Sequence, residues 1–235
     1  MPVNKDVYIG IIDELGQKGI TLVAVSKTKS IEEILELYDS GQRDFGENYV
    51  QELIEKYEKL PKDIRWHFIG HLQSNKVKYI APFISLIESV DSKKLLIEIN
   101  KQAQKINRIV DCLLQVHIAS EETKFGLDEN ELKEIMDTNF SELKNIRVVG
   151  LMGMASFTDA PNKIKIEFQS LKKLFDEYFQ TSIVDERSPS DNGLRKESFG
   201  QPAILSMGMS SDYQLAIKEG SNMVRIGSLL FGGRN

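Results

Sequence analysis

Residues 22–30 read LVAVSKTKS, an apolar run that ends abruptly in a turn bearing lysine. Leu22, Val23, Ala24 and Val25 do not alternate with polar residues. They suit a strand covered on both faces, the usual condition of a parallel sheet. Ser26, Lys27, Thr28 and Lys29 follow directly. Two readings of Lys27 are open at this point. Either it is solvated just past the strand, or it is an amine beside an apolar pocket, where desolvation favours the neutral, nucleophilic form.

The pattern of TLVAVS (21–26) recurs along the chain in RDFGEN (43–48), WHFIG (66–70), SLIESV (85–90), VDCLLQVHI (110–118), RVVGLMGM (147–154), AILSMGM (203–209) and NMVRIGS (222–228), which makes eight candidate strands. Amphipathic segments separate them. Ser30 and Glu33 stand at capping-box spacing before IEEILELYDSG, which Gly41 ends. After Asn48, Val50, Leu53, Ile54 and Tyr57 share a helical stripe that halts before Pro61. Helical patterns also begin at Ser92, at Asp128 (with Glu131 three residues on), at Lys163 and at Ser211, and another precedes the first strand. Strands alternating with helices imply right-handed βαβ units and a parallel sheet. Eight such units within 235 residues predict an α/β fold, a single (β/α)8 TIM-type barrel over residues 1–235. An open doubly wound sheet is second, because no G-x-G-x-x-G turn follows the first strand. The polar stretch at 181–199 is expected to be a mobile loop within the domain.

Bulk properties narrow the function. The formal net charge is −5, from 35 acidic and 30 basic residues. That balance argues against a broad nucleic-acid surface. Cys112 is the one cysteine and predicts a buried thiol in a reducing compartment. The N-terminus lacks the basic start and apolar core of a signal peptide. YIAPFISLI (79–87) is too short to span a bilayer. A cytoplasmic protein, monomeric and without a membrane or nucleic-acid partner, is expected.

In a barrel of this kind chemistry belongs at the carboxyl ends of the strands, which places Lys27 at the mouth. Strands seven and eight end in Ser206, Gly208, Met209, Ser210 and Ser211, and in Gly227 and Ser228. Loops in these positions, with a short helix, commonly bind phosphate through hydroxyls and free N–H groups, although serine is also an ordinary helix cap. Arg225 reads as inward-facing on the last strand. It would pair with a barrel carboxylate such as Glu47, or donate to a ligand. Asn48 could bond a ligand or cap the next helix. His71, Gln73, Asn75 and Lys76 follow the third strand, and Lys124 the fifth. His67 and His117 read as satisfied core residues, and no histidine pair has metal-ligand spacing. A Schiff-base lysine, a phosphate cup and an arginine together match what pyridoxal 5'-phosphate requires.

The blocks AVSKTKS, GQRDFGENYVQE, WHFIGHLQSNK, TKFGL, LSMGMSSDYQLAIKEGSNMVRIGS and LFGGR resemble the pyridoxal phosphate homeostasis protein family from about Thr21 to Arg234. The 181–199 stretch departs from that pattern. The resemblance implies a barrel like the N-terminal domain of alanine racemase, with pyridoxal 5'-phosphate held by Lys27 as an internal aldimine. It also implies that Ser206, Ser210, Gly227 and Ser228 surround the phosphate, that Met209 belongs to the cofactor-binding set, that Asn48 lies beside the aldimine and that Arg225 faces the pyridine nitrogen. The implied role is cofactor binding in vitamin B6 homeostasis and delivery, with no established catalytic reaction and with apo-enzymes that require the cofactor as partners. A racemase-like enzyme is the alternative, and a Schiff-base aldolase stands behind it. Alanine racemase draws its second base from a further C-terminal domain, and this chain is not expected to carry that domain.

Overall fold

The computed structural model describes residues 3–121, 125–137, 142–180 and 202–233. Eight parallel strands close on themselves in sequence order. They are β1 (Thr21–Val25), β2 (Asp44–Glu47), β3 (Arg65–Phe68), β4 (Leu86–Val90), β5 (Val110–Val116), β6 (Ile146–Gly153), β7 (Ile204–Ser206) and β8 (Met223–Ile226). β1 closes the ring on β8, pairing Val23 with Arg225 and Ala24 with Ile226. The expected α/β barrel is thus the observed one, each strand falling inside or within a residue of its predicted run.

Helices cover the outside: α1 (Lys5–Gln17), α2 (Ile31–Asp39), α3 (Val50–Lys59), α4 (Val77–Ile80), α5 (Lys93–Lys105), α6 (Glu129–Met136), α7 (Pro161–Phe175), α8 (Tyr213–Lys218) and α9 (Ser228–Phe231). Both predicted capping boxes are formed, at Ser30 with Glu33 and at Asp128 with Glu131. Each satisfies two N–H groups that the first helical turn leaves without partners. The 3-10 turn Ser74–Lys76 that runs into α4 has no counterpart in the sequence reading. Seven residues are too few to show a helical period, and Pro82 follows at once.

Two apolar layers result. The larger lies between sheet and helices and includes the fully buried Phe45, Trp66 and Phe68. Each such side chain contributes roughly 1.5–3 kcal/mol by leaving water. The smaller fills the barrel interior with Val23, Leu86, Leu113, Val149, Met152 and Met223. Strand parity sorts residues between the two layers. On β2, Asp44 shares a face with Gly46 and reaches the interior, while Phe45 and Glu47 face the helices. The stretch 181–199 and Lys124 lie outside the described residues.

Candidate functional site

The site is built around the turn that ends β1. Ser26 O accepts from Lys29 N at 3.0 Å, closing a four-residue turn in which Thr28 has φ +66°. A β-branched residue at positive φ is an outlier, and it persists only where its surroundings hold it. Here they do. Thr28 N–H donates to Glu52 Oε1 at 2.6 Å, and Ser26 Oγ donates to Glu47 Oε1 at 2.6 Å. Lys56 Nζ donates to Ser26 O, Glu47 Oε1 and Glu52 Oε1 at 2.7, 2.7 and 2.6 Å. The residues on either side of Lys27 are therefore clamped by α3, and Lys27 itself is half-buried. Burial pushes the Glu47 carboxyl above its ordinary range, although the Lys56 charge and hydrogen bonds oppose that. Lys29 is engaged elsewhere, donating to Phe231 O at 3.0 Å and lying 3.6 Å from Glu33.

Asn48 follows β2 at the same end of the barrel. It does not cap α3: the N-cap is Tyr49, which makes no side-chain cap bond. Its Oδ1 is buried without a hydrogen-bond partner among the described residues. Leaving such an acceptor unpaired costs about 1–3 kcal/mol, and capping of α3 does not offset that cost. Gly70, at the end of the β3 run, lies so close that a Cβ there would stand 2.5 Å from Asn48 O. The backbone of Asn48 is thus pinned from the neighbouring strand.

Two strands round the ring from β1, past β8, Gly208 has φ +97°, and a Cβ on it would meet Ala216 Cβ at 2.6 Å. That close approach packs the β7–α8 turn on α8. Within the turn Met209 N–H donates to Asp212 Oδ1 at 2.6 Å, and Ser210 Oγ accepts from Gly227 N–H at 3.2 Å. Ser210, Gly227 and Ser228 are therefore brought together. α9 is a single turn beginning at Ser228, and its first N–H groups have no intrahelical acceptor. Met209 and Ser210 also line an open groove of about 590 Å³ with Ala155, Thr158, Ile164 and Tyr213.

Ser206 and Arg225 lie deeper. Arg225 is 3% exposed; its Nη1 donates to Ser206 Oγ at 2.5 Å and its Nη2 to Gly153 O at 2.9 Å. Ser206 Oγ in turn donates to Glu88 Oε2 at 2.6 Å, and Glu88 Oε2 lies 3.7 Å from Arg225 Nη1. Glu47 was the example given of a barrel carboxylate to pair with Arg225, and the carboxylate the structure places there is Glu88. Parity is the reason: Glu47 faces α3 and Lys56, whereas Glu88 shares the interior face of β4 with Leu86. Burial pulls the Arg225 guanidinium down from its ordinary value, and the Glu88 and Asp212 charges counter that. His71 is exposed, bonded through Nδ1 to Asp91 at 2.8 Å and stacked on Phe125 at 4.1 Å. His117 Nε2 lies 2.9 Å from Glu121 O. His67 is buried with both ring nitrogens engaged, as a core reading requires.

Glu88, Asp44 and Lys56 were not singled out from the sequence. Glu88 carried a signal, as the one charged residue in the buried strand Leu86–Val90. Lys56 carried one too, three residues beyond Leu53 on the buried stripe of α3.

The chain is a closed parallel barrel with a lysine in the clamped turn after its first strand and a buried arginine on its last. The family profile described as "Alanine racemase, N-terminal domain" matches residues 11–235. The pyridoxal phosphate homeostasis protein of Aquifex aeolicus is 41% identical over 220 residues, covering 93% of this chain and 89% of that one. PipY of Synechococcus elongatus, solved without pyridoxal phosphate, superposes with a TM-score of 0.84 at 32% identity over 97% of this chain and 99% of that one. The form solved with pyridoxal phosphate bound gives 0.77 at 34% identity, over 91% and 93%. Alanine racemase from Bartonella henselae shares the fold at 16% identity and TM-score 0.67, with this chain covering 60% of that chain. The chain belongs to the pyridoxal phosphate homeostasis protein family, within the alanine racemase N-terminal domain class.

Proposed function

We propose that this protein binds pyridoxal 5'-phosphate in the barrel mouth, attaches it covalently through Lys27 and serves intracellular vitamin B6 homeostasis by holding the cofactor and passing it to apo-enzymes. The observation that carries this reading is the strained Ser26–Lys29 turn, held from both sides by α3. Strain maintained by so many partners marks a position where a side chain must be aimed. The buried, unpartnered Asn48 Oδ1 fits a ligand beside that lysine. The 34% identical PipY, solved with pyridoxal phosphate bound, supports the same cofactor here.

Bound pyridoxal phosphate supplies an aldehyde carbon for amine attack and a ring that withdraws electrons. This chain's residues supply the rest. Lys27 offers the amine. Ser210, Gly227 and Ser228 offer hydroxyl and N–H donors to the phosphate, with Met209 beside them and Ser206 below. Arg225 would donate to the ring nitrogen with no proton to yield, because a guanidinium stays charged. That arrangement favours retention over carbanion chemistry. Tyr49, Phe125 and Phe157 stand exposed on connections that follow strands, Phe157 at 91%, and a partner receiving cofactor would meet these rings. The buried Cys112 thiol, whose proton affinity burial pushes up, suits a reducing cytoplasm. Among the described residues no helix is long and apolar enough to cross a membrane.

The phosphate contacts give a direct test. Pyridoxal lacking its phosphate forgoes the charge-assisted bonds, so equilibrium titration should show affinity at least tenfold below that for pyridoxal 5'-phosphate. Equal affinities would contradict the placement of the cup.

A further inference from the structure

A chain of buried polar groups runs through the barrel from mouth to floor. Arg225 Nη1 meets Ser206 Oγ at 2.5 Å, and Ser206 Oγ meets Glu88 Oε2 at 2.6 Å. Glu88 Oε1 meets His67 Nδ1 at 2.8 Å, and His67 Nε2 meets Asp44 Oδ1 at 3.1 Å. Asp44 is then bound through both oxygens by Arg65. Arg225, Ser206 and Gly153 stand at or near the carboxyl ends of β8, β7 and β6, whereas Asp44 and Arg65 open β2 and β3 at the opposite end. Interiors of such barrels are mostly branched apolar residues, so four ionisable groups in register there, closed at the floor by the exposed Arg65, call for a role.

With Glu88 and Asp44 both ionised, as their lowered values require, the hydrogen bonds admit one set of charges. Ionised carboxylates only accept, and His67 faces one at each ring nitrogen. Both nitrogens must donate, so the ring is an imidazolium. The signs then alternate along the chain: Arg225 positive, Glu88 negative, His67 positive, Asp44 negative, Arg65 positive. Burial alone would lower the His67 pKa, but its bonds to Asp44 and Glu88 and their charges raise it to about 9. Burial would likewise raise Glu88 and Asp44. For Glu88 the His67 bond and charge, then Arg225, hold it below its ordinary range, and for Asp44 His67 and Arg65 do the same.

We propose that Glu88 and His67 are positioning residues: the His67 imidazolium shares the charge of Glu88, so that Glu88 orients Arg225 through Ser206 without neutralising it. Arg225 then keeps its full charge for the mouth. The inference rests on the reading that Arg225 faces the cofactor ring. Removing the positive charge of His67 leaves Glu88 to Arg225 alone and makes the mouth less positive. Removing the nearer negative charge of Glu88 makes it more positive.

The two changes therefore have opposite signs in one measurement, the pH midpoint at which the visible band of bound pyridoxal phosphate changes. His67→Gln should raise that midpoint and Glu88→Gln should lower it, each by roughly half a unit to one unit for a buried charge at an effective dielectric near ~20. A merely structural role would move both alike or neither. Arg225→Gln is the control. If it shifts the band while the other two leave the midpoint unchanged or move it in the same direction, the relay is overturned. If cofactor binds and Arg225→Gln leaves the band as in wild type, the assignment of Arg225 to the ring fails, and the relay with it. Should a variant not fold, the wild-type protein decides by NMR of its histidine imidazoles at pH 7.5, with His71→Gln and His117→Gln providing assignment. A neutral His67 there, or a protonated one whose resonances do not respond to pyridoxal phosphate binding, overturns the proposal, and a protonated one that shifts on binding upholds it.

Discussion

Lys56 shows how a residue remote from the chemistry can decide the geometry of the site. Its ammonium is almost fully buried and touches Ser26 O, Glu47 and Glu52, the groups that fix the chain on both sides of Lys27. Lys56→Met leaves Glu47 buried without its counter-charge, and Glu47 Oε2 already lacks a partner among the described residues. Removing one partner of a buried pair costs about 3–5 kcal/mol, whereas an apolar replacement of both is often near neutral. Denaturant unfolding should therefore show a loss of about 3 kcal/mol or more for Lys56→Met and recovery of most of it in Glu47→Leu/Lys56→Met. A loss below about 1 kcal/mol in the single variant would show that the clamp is not a buried pair. The position of Lys27 after an apolar run was legible in the sequence. The clamp was not, because Lys56 reaches Ser26 only once α3 has docked on β2.

At the scale of elements, local signals were read well where they are local. Capping boxes, the Gly41 stop and unbroken apolar strands depend on near neighbours, and each appears where the pattern put it. The α4 turn escaped for lack of length, and Glu47 was the wrong example of a carboxylate for Arg225 because parity on β2 had to be known first. The β7–α8 turn depends on a close approach that no periodicity reveals. Gly208→Ala would need positive φ and would drive a Cβ into Ala216 and Tyr213. We expect a stability loss of about 1–3 kcal/mol and weaker cofactor binding, since Met209 and Ser210 move with the turn. Thermal unfolding and cofactor titration measure the two effects, and wild-type values in both would show that the turn does not rest on α8.

The molecule as a whole combines an apolar outer layer with a charged axis. The fold was legible because eight repeats of strand and helix have few packings. The axis was not, since Asp44, His67, Glu88 and Arg225 converge only on closure of the barrel. Its pH signature follows from the raised His67 value, about 9 when folded against about 6.5 unfolded. A pKa raised on folding stabilises fully below the unfolded value and is lost as pH rises through the folded one. Asp44 and Glu88 have lowered values, so their contribution stands above the ordinary carboxylate range and fades as pH falls. Stability should be greatest near about pH 5–6.5 and fall by on the order of 3 kcal/mol by about pH 10. His67→Gln should flatten the alkaline limb in urea unfolding at several pH values. An alkaline limb as steep in that variant as in wild type would assign the loss to other groups.

The central claim is that Lys27 holds pyridoxal 5'-phosphate. The direct measurement is the absorption spectrum of the purified protein loaded with pyridoxal 5'-phosphate, followed by borohydride reduction and peptide mapping by mass spectrometry. The account predicts a visible band that reduction bleaches and a single pyridoxyl mass on the peptide containing Lys27, both absent from a folded Lys27→Ala variant. A label on Lys29 or on another lysine in the wild-type protein, or a retained band in Lys27→Ala, would contradict it.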